Sequence, residues 1–306
     1  MKFAFPMPNM SQLKEAVRPW ELAVTGPDQA RMIKQAEDLG YDYVLVPEHM
    51  VVPRDHVDLS GSHYFHTAAA QGFYLGATTR IRVGTGITIL PLQHPIVTAK
   101  ALSTIDWLSG GRANVSFAAG WLQGEFEALG VPFNKRGRMM DEYLAAIIEL
   151  WTKDVASFEG EFVNFRDMVL EPKPIQKPHI PIWMGGDADP VLKRIARFAS
   201  GWVPFLTKPQ DIPAKLDFIK SQPEFNGGDI TVTYMVGASF ISEGHVAGDV
   251  PIGREVNSTQ QMIDLIGFLR DCGVNNAYYA IPSVDNAEEF MAYAQWFMEE
   301  VRPHFA

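Results

Sequence analysis

One strand–helix–strand unit between residues 81 and 119 constrains the fold of this chain more than any other stretch. A branched apolar run that two glycines interrupt, Ile81–Leu90, leads into a helix that Pro95 opens and Gly110-Gly111 ends. A second apolar run, Ala113–Ala119, follows. Such runs are typical of parallel strands buried on both faces, and a crossover helix between them places their carboxyl ends on one side of a sheet.

The same rhythm continues along the whole chain. About eight apolar runs alternate with helical patterns, and no break in composition divides the 306 residues. This predicts an α/β fold, a (β/α)8 TIM barrel forming a single domain over residues 1–306, with a doubly wound open sheet as the alternative. The dinucleotide signal GxGxxG is absent after the first strand. Between strands four and five, alternation around Glu159-Gly160 and a proline-rich stretch predict an inserted β-hairpin and an extended connector.

Charge and composition exclude several classes of function. The net charge of −10 argues against a nucleic-acid surface, which would need a basic patch. A single cysteine, Cys272, rules out an internal disulfide framework and is typical of a reducing compartment. No apolar run approaches the roughly 20 residues that span a bilayer, and the N-terminus lacks the apolar region of a signal peptide. We therefore expect a cytoplasmic protein that binds neither nucleic acid nor membrane.

Candidate functional residues stand where the predicted strands end, because barrels of this class carry their chemistry at that rim. His49 follows strand two and can exchange a proton with a substrate, although a structural histidine bonded to a carbonyl is an equal alternative. Trp121 can stack on a flat ring, but a core tryptophan is commoner. Gly185-Gly186 precedes a helix and can bind a phosphate or form a plain tight turn. Lys208 can supply the matching positive charge or remain solvated.

The remaining histidines are weaker candidates. His94 stands just before a helix, where a cap or a backbone contact is the commoner role. His56, His63 and His66 match no common zinc spacing, so the sequence predicts no metal site. The polar segment from Val51 to His63 is a candidate lid.

Four motifs carry a resemblance to a known family. The first is GYDYVLVPEH at residues 40–49, and the second is TRIRVGTG at 79–86 with the following helix through LSGGR at 108–112. The third is AGW at 119–121, followed by EFEALGVPF at 125–133 and Arg138, and the fourth is PKPIQKP leading to IWMGG at 172–186. Together they resemble the bacterial luciferase-like monooxygenase family, and most of all its branch of F420-dependent oxidoreductases. Members of this family are (β/α)8 barrels that use a reduced flavin or the deazaflavin coenzyme F420. The resemblance covers about residues 1–210, and the last third matches only in its strand–helix rhythm.

The resemblance implies roles for matching positions. It assigns cofactor binding to three pairs at strand ends: Gly86-Ile87, Gly120-Trp121 and Gly185-Gly186. Relatives carry a non-proline cis peptide beneath the ring at the first pair; the second pair would line the edge of the ring, and the third would hold the phosphate. His49 matches the histidine that F420-using relatives place near the ring. Sugar-phosphate dehydrogenases of the family have a glutamate where Trp121 stands, which argues against sugar-phosphate oxidation.

The function that the resemblance implies is F420-dependent hydride transfer on a small organic substrate, with His49 managing a proton. An FMNH2-dependent monooxygenase of a two-component system is the alternative, and a non-catalytic flavin-binding barrel is the alternative from another class. Relatives also suggest a flavin or F420 reductase as partner and a homodimer formed by helices near residues 64–75 and 96–108. The loops 51–63 and 242–254 are expected to shape the substrate pocket.

Overall fold

Parallel strands form the wall of a barrel in the computed structural model, which describes residues 1–12, 17–236, 258–279 and 284–306. The strands in chain order are β1 (Lys2–Phe5), β2 (Tyr43–Val46), β3 (Arg82–Thr85), β4 (Thr88–Ile89), β5 (Val115–Ala118), β6 (Ala156–Glu159), β7 (Asn164–Met168), β8 (Ile182–Gly185), β9 (Gly201–Val203), β10 (Thr231–Val236) and β11 (Asn276–Tyr279). Nine of them form one sheet in the order β3-β2-β1-β11-β10-β9-β8-β5-β4. A parallel bridge between Val83 and Ala113 brings the two ends of this sheet together. The barrel predicted from the sequence is confirmed.

Helices alternate with the strands of the wall. They are α1 (Gly26–Leu39), α2 (Val57–Ser60), α3 (Thr67–Gly76), α4 (Pro95–Ser109), α5 (Gln123–Ala128), α6 (Arg136–Thr152), α7 (Asp189–Phe198), α8 (Ile212–Lys220), α9 (Thr259–Asp271) and α10 (Ala287–Trp296). Short 3-10 segments lie at Pro19–Ala23, Arg54–His56, Leu90–Leu92, Phe133–Lys135, Pro209–Asp211 and Arg302–Phe305, and α10 continues as a π-helix over Phe297–Val301. Within the described ranges, no helix is long and apolar enough to cross a membrane.

Two hydrophobic clusters follow from the alternation of side chains along the strands. Phe3 and Phe5 of β1 belong to the large cluster between the wall and the helices, whereas Ala4 belongs to a small separate one. This smaller cluster contains residues of four strands besides β1, namely Tyr43, Leu45, Trp183, Val203 and Tyr278. Side chains of the strands therefore fill the interior of the barrel. The candidate functional residues lie instead at the rim where the strands end.

An antiparallel pair, β6 with β7, lies between β5 and β8 along the chain. Its turn covers residues 160–163 and is longer than the two-residue turn that Glu159-Gly160 suggested. The carboxylate of Glu142 on α6 explains the difference, because it accepts the backbone N–H groups of Glu161, Phe162 and Val163 at 2.6–2.8 Å. These bonds stabilise a wider loop that the local sequence does not reveal.

Several boundaries differ from the sequence prediction. The segment expected as a long polar loop contains the 3-10 turn Arg54–His56 and the helix α2. The run 187–190, expected to cap a helix that begins at Val191, contains the N-cap residue Ala188, but α7 already begins at Asp189 and no side chain caps it. The expected continuation of strand seven over 237–240, the loop 242–254 and the end of strand eight over 280–282 lie outside the described residues.

The buried carboxylate of Glu37 fastens α1 to the start of β3 and makes stability depend on pH. Burial alone would raise the pKa of Glu37, but hydrogen bonds from the backbone N–H groups of Arg80, Ile81 and Thr79, and then from Lys34, lower it to about 2. A carboxyl group with a lowered pKa stabilises the folded state above its unfolded pKa, and this contribution is lost as the pH falls toward 2.

We therefore expect Glu37→Gln to lower the free energy of unfolding at neutral pH by about 3 kcal/mol, the equivalent of the shift in pKa. The difference from the wild type should shrink between pH 4.5, the ordinary pKa of this group, and the folded value of about 2. Urea unfolding at several pH values measures it. Asp38→Asn, on the same helix but 58% exposed, is the control and should change little at any pH. An equal loss in both variants would contradict the assignment.

Candidate active site

The rim where the strands end is built around Gly86 and Ile87, between β3 and β4. The neighbouring residues 83–85 and 88–90 are buried, whereas Gly86 and Ile87 are half-buried. Their peptide bond is cis, as the resemblance implies. A Cβ atom at Gly185 would overlap the tip of the Ile87 side chain, so two of the predicted cofactor-binding pairs meet across the rim. Gly185 is a glycine here because Ile87 occupies the space next to it.

His49 is anchored by a carboxylate that the sequence analysis missed. Its Nδ1 lies 3.0 Å from Oε2 of Glu125, whose side chain is fully buried on the short helix α5. The other carboxylate oxygen accepts the backbone N–H of Met50 at 2.5 Å. The loop after β2 is thus tied to the segment after β5, and the His49 ring is fixed at one end.

Aromatic rings enclose the other sides of His49. Its ring meets that of Tyr64 edge to face, with centroids 4.8 Å apart, and that of Trp121 in the same manner at 6.0 Å. Burial, and then the negative charge of Glu125, raise the pKa of Tyr64 to about 12, so its phenol is neutral at physiological pH. The phenol donates to the carbonyl of Ser60 at 2.5 Å and thereby joins the end of α2 to this ring cluster. Two predicted residues, His49 and Trp121, therefore lie together.

Glu48, the neighbour of His49, is a buried structural carboxylate. One oxygen accepts from the backbone N–H and the hydroxyl of Thr67 at 2.9 and 2.7 Å. The other accepts from the side-chain amide of Gln93 at 2.9 Å. The hydroxyls of Thr67 and Thr88 also lie 2.9 Å apart. This network attaches the residues on both sides of the rim to the start of α3.

Gly120 brings the chain from β5 into the turn that carries Trp121. Its φ of +82° is in the left-handed region, and a Cβ there would lie 2.7 Å from Cγ2 of Ile89 and 2.8 Å from the ring of Phe126. Its carbonyl accepts from Nε of Arg136 at 3.0 Å. Both the conformation and the close packing therefore require glycine at this position.

The expected phosphate site differs from the sequence prediction. The N–H of Gly186 donates to the carbonyl of Val203 at 3.2 Å, so this amide is not free to bind a phosphate. Asp187 turns away from α7, and its carboxylate accepts the backbone N–H groups of residues 205–207 at 2.9–3.2 Å. Lys208, just beyond them, is exposed. The carboxylate of Asp187 is therefore already bonded to the backbone N–H groups nearest to Lys208, the predicted positive charge.

The other histidines have structural or surface positions. His94 is the N-cap residue of α4, and its Nδ1 accepts the backbone N–H of Ile96 at 3.3 Å, as expected for a cap. His56 lies beside Asp55 at 3.1 Å and near the ring of Trp121. In the part of the chain that the structure describes, no three His, Cys, Asp or Glu side chains are grouped as metal ligands would be.

Three carboxylates with defined roles were not predicted: Glu48, Glu125 and Asp187. Glu48 stands next to His49 at a strand end, and Glu125 comes four residues after Trp121 in the segment that follows another strand. A pairing of the two strand ends could have suggested Glu125, because both belong to the same rim. Nothing in the sequence distinguishes Asp187 from an ordinary helix cap.

A comparison of the sequence with known families agrees with this geometry. Residues 11–244 match the sequence model of the luciferase-like monooxygenase family. The chain belongs to this family. It is therefore an enzyme of a family of flavin- or F420-dependent oxidoreductases and monooxygenases, which confirms the resemblance of its motifs.

Individual relatives and structural neighbours differ in the cofactor that their names give. An uncharacterized protein of Mycobacterium tuberculosis is 36% identical over 209 residues, which cover 62% of this chain and 72% of the relative. An FMNH2-dependent dimethylsulfone monooxygenase of Pseudomonas putida is 30% identical over 76% of this chain, but the match spans only 63% of that enzyme. The structure of an F420-dependent secondary alcohol dehydrogenase superposes with a TM-score of 0.76 at 16% identity, covering 100% of this chain and 99% of the other. This last likeness concerns the fold alone.

Proposed function

We propose that this enzyme transfers hydride between F420 and a small organic substrate, with His49 as its catalytic acid or base. The observation that carries the proposal is the placement of His49 at the rim, where Glu125 engages Nδ1 and Trp121 and Tyr64 enclose the ring. The imidazole is thereby oriented, and its side chain remains 10% exposed. A neutral imidazole in this position suits proton exchange with a substrate hydroxyl or carbonyl.

The residues at the rim fit a flat, uncharged ring system. Gly86 and Ile87 are half-buried at the rim, and the half-buried Trp121 offers an aromatic edge. Half-buried apolar groups beside one imidazole are the surroundings that isoalloxazine and deazaflavin rings need. We propose that Gly86, Ile87, Gly120 and Trp121 contact the ring.

The residues expected to bind the phosphate group of the cofactor suit it less well than the rim suits the ring. Gly185 is packed against Ile87, and the Gly186 amide is already bonded to Val203. We propose that Gly185 and Gly186 contribute a close backbone approach and that Lys208 contributes the charge. The carboxylate of Asp187 opposes an anion at this place, so the affinity for the phosphate group should depend on the displacement of that side chain.

The chain contributes position and proton transfer to the reaction, whereas the bound cofactor would accept or deliver the hydride. When an alcohol is oxidised, its carbon loses hydride and its oxygen loses a proton, and we assign that proton to His49. In the direction of carbonyl reduction the same group returns the proton to the oxygen. The buried surroundings of Glu125 and Tyr64 limit the access of water to this step.

The second candidate is an FMNH2-dependent monooxygenase of a two-component system, supplied by a flavin reductase. The observation that favours it is the similarity to the dimethylsulfone monooxygenase of Pseudomonas putida. In either case we propose that the enzyme works in the cytoplasm, where a flavin or F420 reductase would supply the reduced cofactor.

A fluorescence titration of the purified apoprotein with F420 and with FMN, oxidised and reduced, tests the proposal. Tight binding of F420 with weak binding of FMN is the expected result, and a screen of secondary alcohols, ketones and enones for absorbance changes of the cofactor follows. The opposite preference, with oxygen consumption, would establish the monooxygenase. Binding without turnover in either screen would support a non-catalytic flavin-binding barrel, and failure to bind either cofactor would contradict all three hypotheses.

We also propose that the chain forms a homodimer through α3 and α4. An open, mostly apolar groove runs between these helices. Ala68, Ala69, Ile96, Val97, Ala101 and Ile105 line it together with Lys100 and Thr104. Trp107 and Leu108 at the end of α4 are 54% and 73% exposed. An apolar surface of this kind is typical of an interface, and we propose a second copy of the chain as its occupant.

The variant Val97→Lys should convert the dimer to a monomer, because it would replace an apolar contact by a second positive charge beside Lys100 in the buried interface. Val97 is 66% exposed in the single chain, so the monomer itself should remain folded. Light scattering after size exclusion measures the mass. Val169→Lys, at 64% exposure on the connector, is the matched control and should remain dimeric. A monomeric wild type would refute the interface.

A further inference from the structure

The carboxylate of Glu125 lies between two donors that differ in one respect. Met50 offers a backbone N–H, which always carries its hydrogen, at 2.5 Å from Oε1. His49 offers Nδ1 at 3.0 Å from Oε2, and an imidazole nitrogen carries a hydrogen in only one of two tautomers. Glu125 is 0% exposed, so no water contact replaces either bond. The carboxylate therefore decides where the histidine keeps its hydrogen.

We propose that Glu125 is a positioning residue that holds His49 as the Nδ1–H tautomer. A carboxylate can only accept hydrogen bonds. A buried carboxylate oxygen that no donor faces destabilises the folded state. Neutral imidazole has one hydrogen, so Nδ1–H leaves a lone pair on Nε2. Among the described residues, none forms a hydrogen bond with Nε2. This inference rests on the proposed function, because it names the atom, Nε2, that exchanges the proton with the substrate.

The isosteric variant Glu125→Gln should reverse the tautomer. A glutamine side chain has one oxygen and one NH2 group, whereas the site presents one fixed donor and one histidine nitrogen. The N–H of Met50 requires the oxygen, which turns the NH2 group toward His49. Since NH2 can only donate, Nδ1 must then accept, and the ring hydrogen moves to Nε2.

Nitrogen NMR of the apoprotein with labelled histidine tests this without cofactor or substrate. Long-range proton–nitrogen correlations distinguish the two tautomers, and the spectrum of His49→Asn identifies the resonance. At about pH 9, where ordinary imidazole is neutral, the wild type should show hydrogen on Nδ1 alone. The Glu125→Gln variant should show it on Nε2. Glu127→Gln, exposed on the same helix, is the control and should resemble the wild type.

Hydrogen on Nε2 in the wild type, alone or together with Nδ1, would overturn the inference. So would an unchanged tautomer in a folded Glu125→Gln variant. If that variant does not fold, the wild-type spectrum still decides. Failure of the apoprotein to bind either cofactor would remove the proposed function and leave the tautomer assignment standing.

Kinetics give a second readout. Because the altered tautomer has no free lone pair on Nε2, Glu125→Gln should lower kcat for alcohol oxidation by about 100-fold. The KM and the dissociation constant of the cofactor should change by less than about threefold, since no group that contacts either one is removed. A rise in KM with unchanged kcat would point to a merely structural role and would contradict the inference.

Discussion

His49→Asn is expected to lower kcat by about 10²- to 10⁴-fold, the usual contribution of a general acid or base. The amide nitrogen of asparagine can take the place of Nδ1, so the bond to the buried Glu125 is preserved while Nε2 is removed. The variant should therefore fold and should bind the cofactor with unchanged affinity. Turnover of the alcohol or ketone found in the screen, and the fluorescence titration, measure the two effects separately.

His66→Ala is the control for this prediction. His66 is exposed at the N-terminus of α3, and its side chain makes no capping hydrogen bond. Full turnover by His49→Asn would remove His49 from the mechanism. His49→Gln adds a further comparison, because its amide nitrogen approaches the position of Nε2 but cannot accept a proton. It should be as inactive as His49→Asn.

Gly120→Ala is expected to lower the free energy of unfolding by about 3 kcal/mol. The left-handed φ of +82° costs a side-chain-bearing residue roughly 1–2 kcal/mol. The new Cβ would also lie 2.7 Å from Ile89 and 2.8 Å from Phe126, and such overpacking costs about 1–3 kcal/mol. Because the adjacent Trp121 would move, the affinity for the cofactor should fall as well. Urea unfolding and the fluorescence titration provide the measurements.

Gly130→Ala separates the two causes. Gly130 has a φ of +69°, but a Cβ there would have no atom within 4 Å. This variant should lose only the conformational part, about 1 kcal/mol, and should bind the cofactor normally. Equal losses at the two positions would show that the packing of Ile89 and Phe126 against Gly120 does not matter.

The sequence predicted the elements that depend on local pattern. The alternation of apolar runs with helices gave the barrel, and the position of His49 directly after a strand gave its place at the rim. His94 stands just before a helix in the sequence and was expected to cap it, and it does cap α4. These features depend on period, on turn chemistry and on the rule that barrels use one end.

Contacts between distant segments could not be predicted in this way. Glu125 reaches His49 across 76 positions of the chain, and Glu142 fixes a turn about 20 residues away. Asp187 stands just before α7 in the sequence, yet its carboxylate accepts the backbone N–H groups of residues 205–207. Each of these carboxylates accepts hydrogen bonds from backbone N–H groups of a distant segment. Such contacts form only when distant segments meet in the folded chain, so they leave no local pattern in the sequence.

The short helix α5 limits how the substrate pocket can change during evolution or engineering. It carries Glu125, which binds His49 and Met50, and Gly124, where a Cβ would lie 2.6 Å from the ring of Pro53. The contacts with α5 therefore fix the first residues of the loop after β2 against the wall of the barrel. Farther along this loop, Tyr64 donates to the carbonyl of Ser60 and forms an antiparallel bridge with Ser11. Grafts that begin at residue 49 should therefore inactivate the enzyme, because they would remove the partners of Glu125.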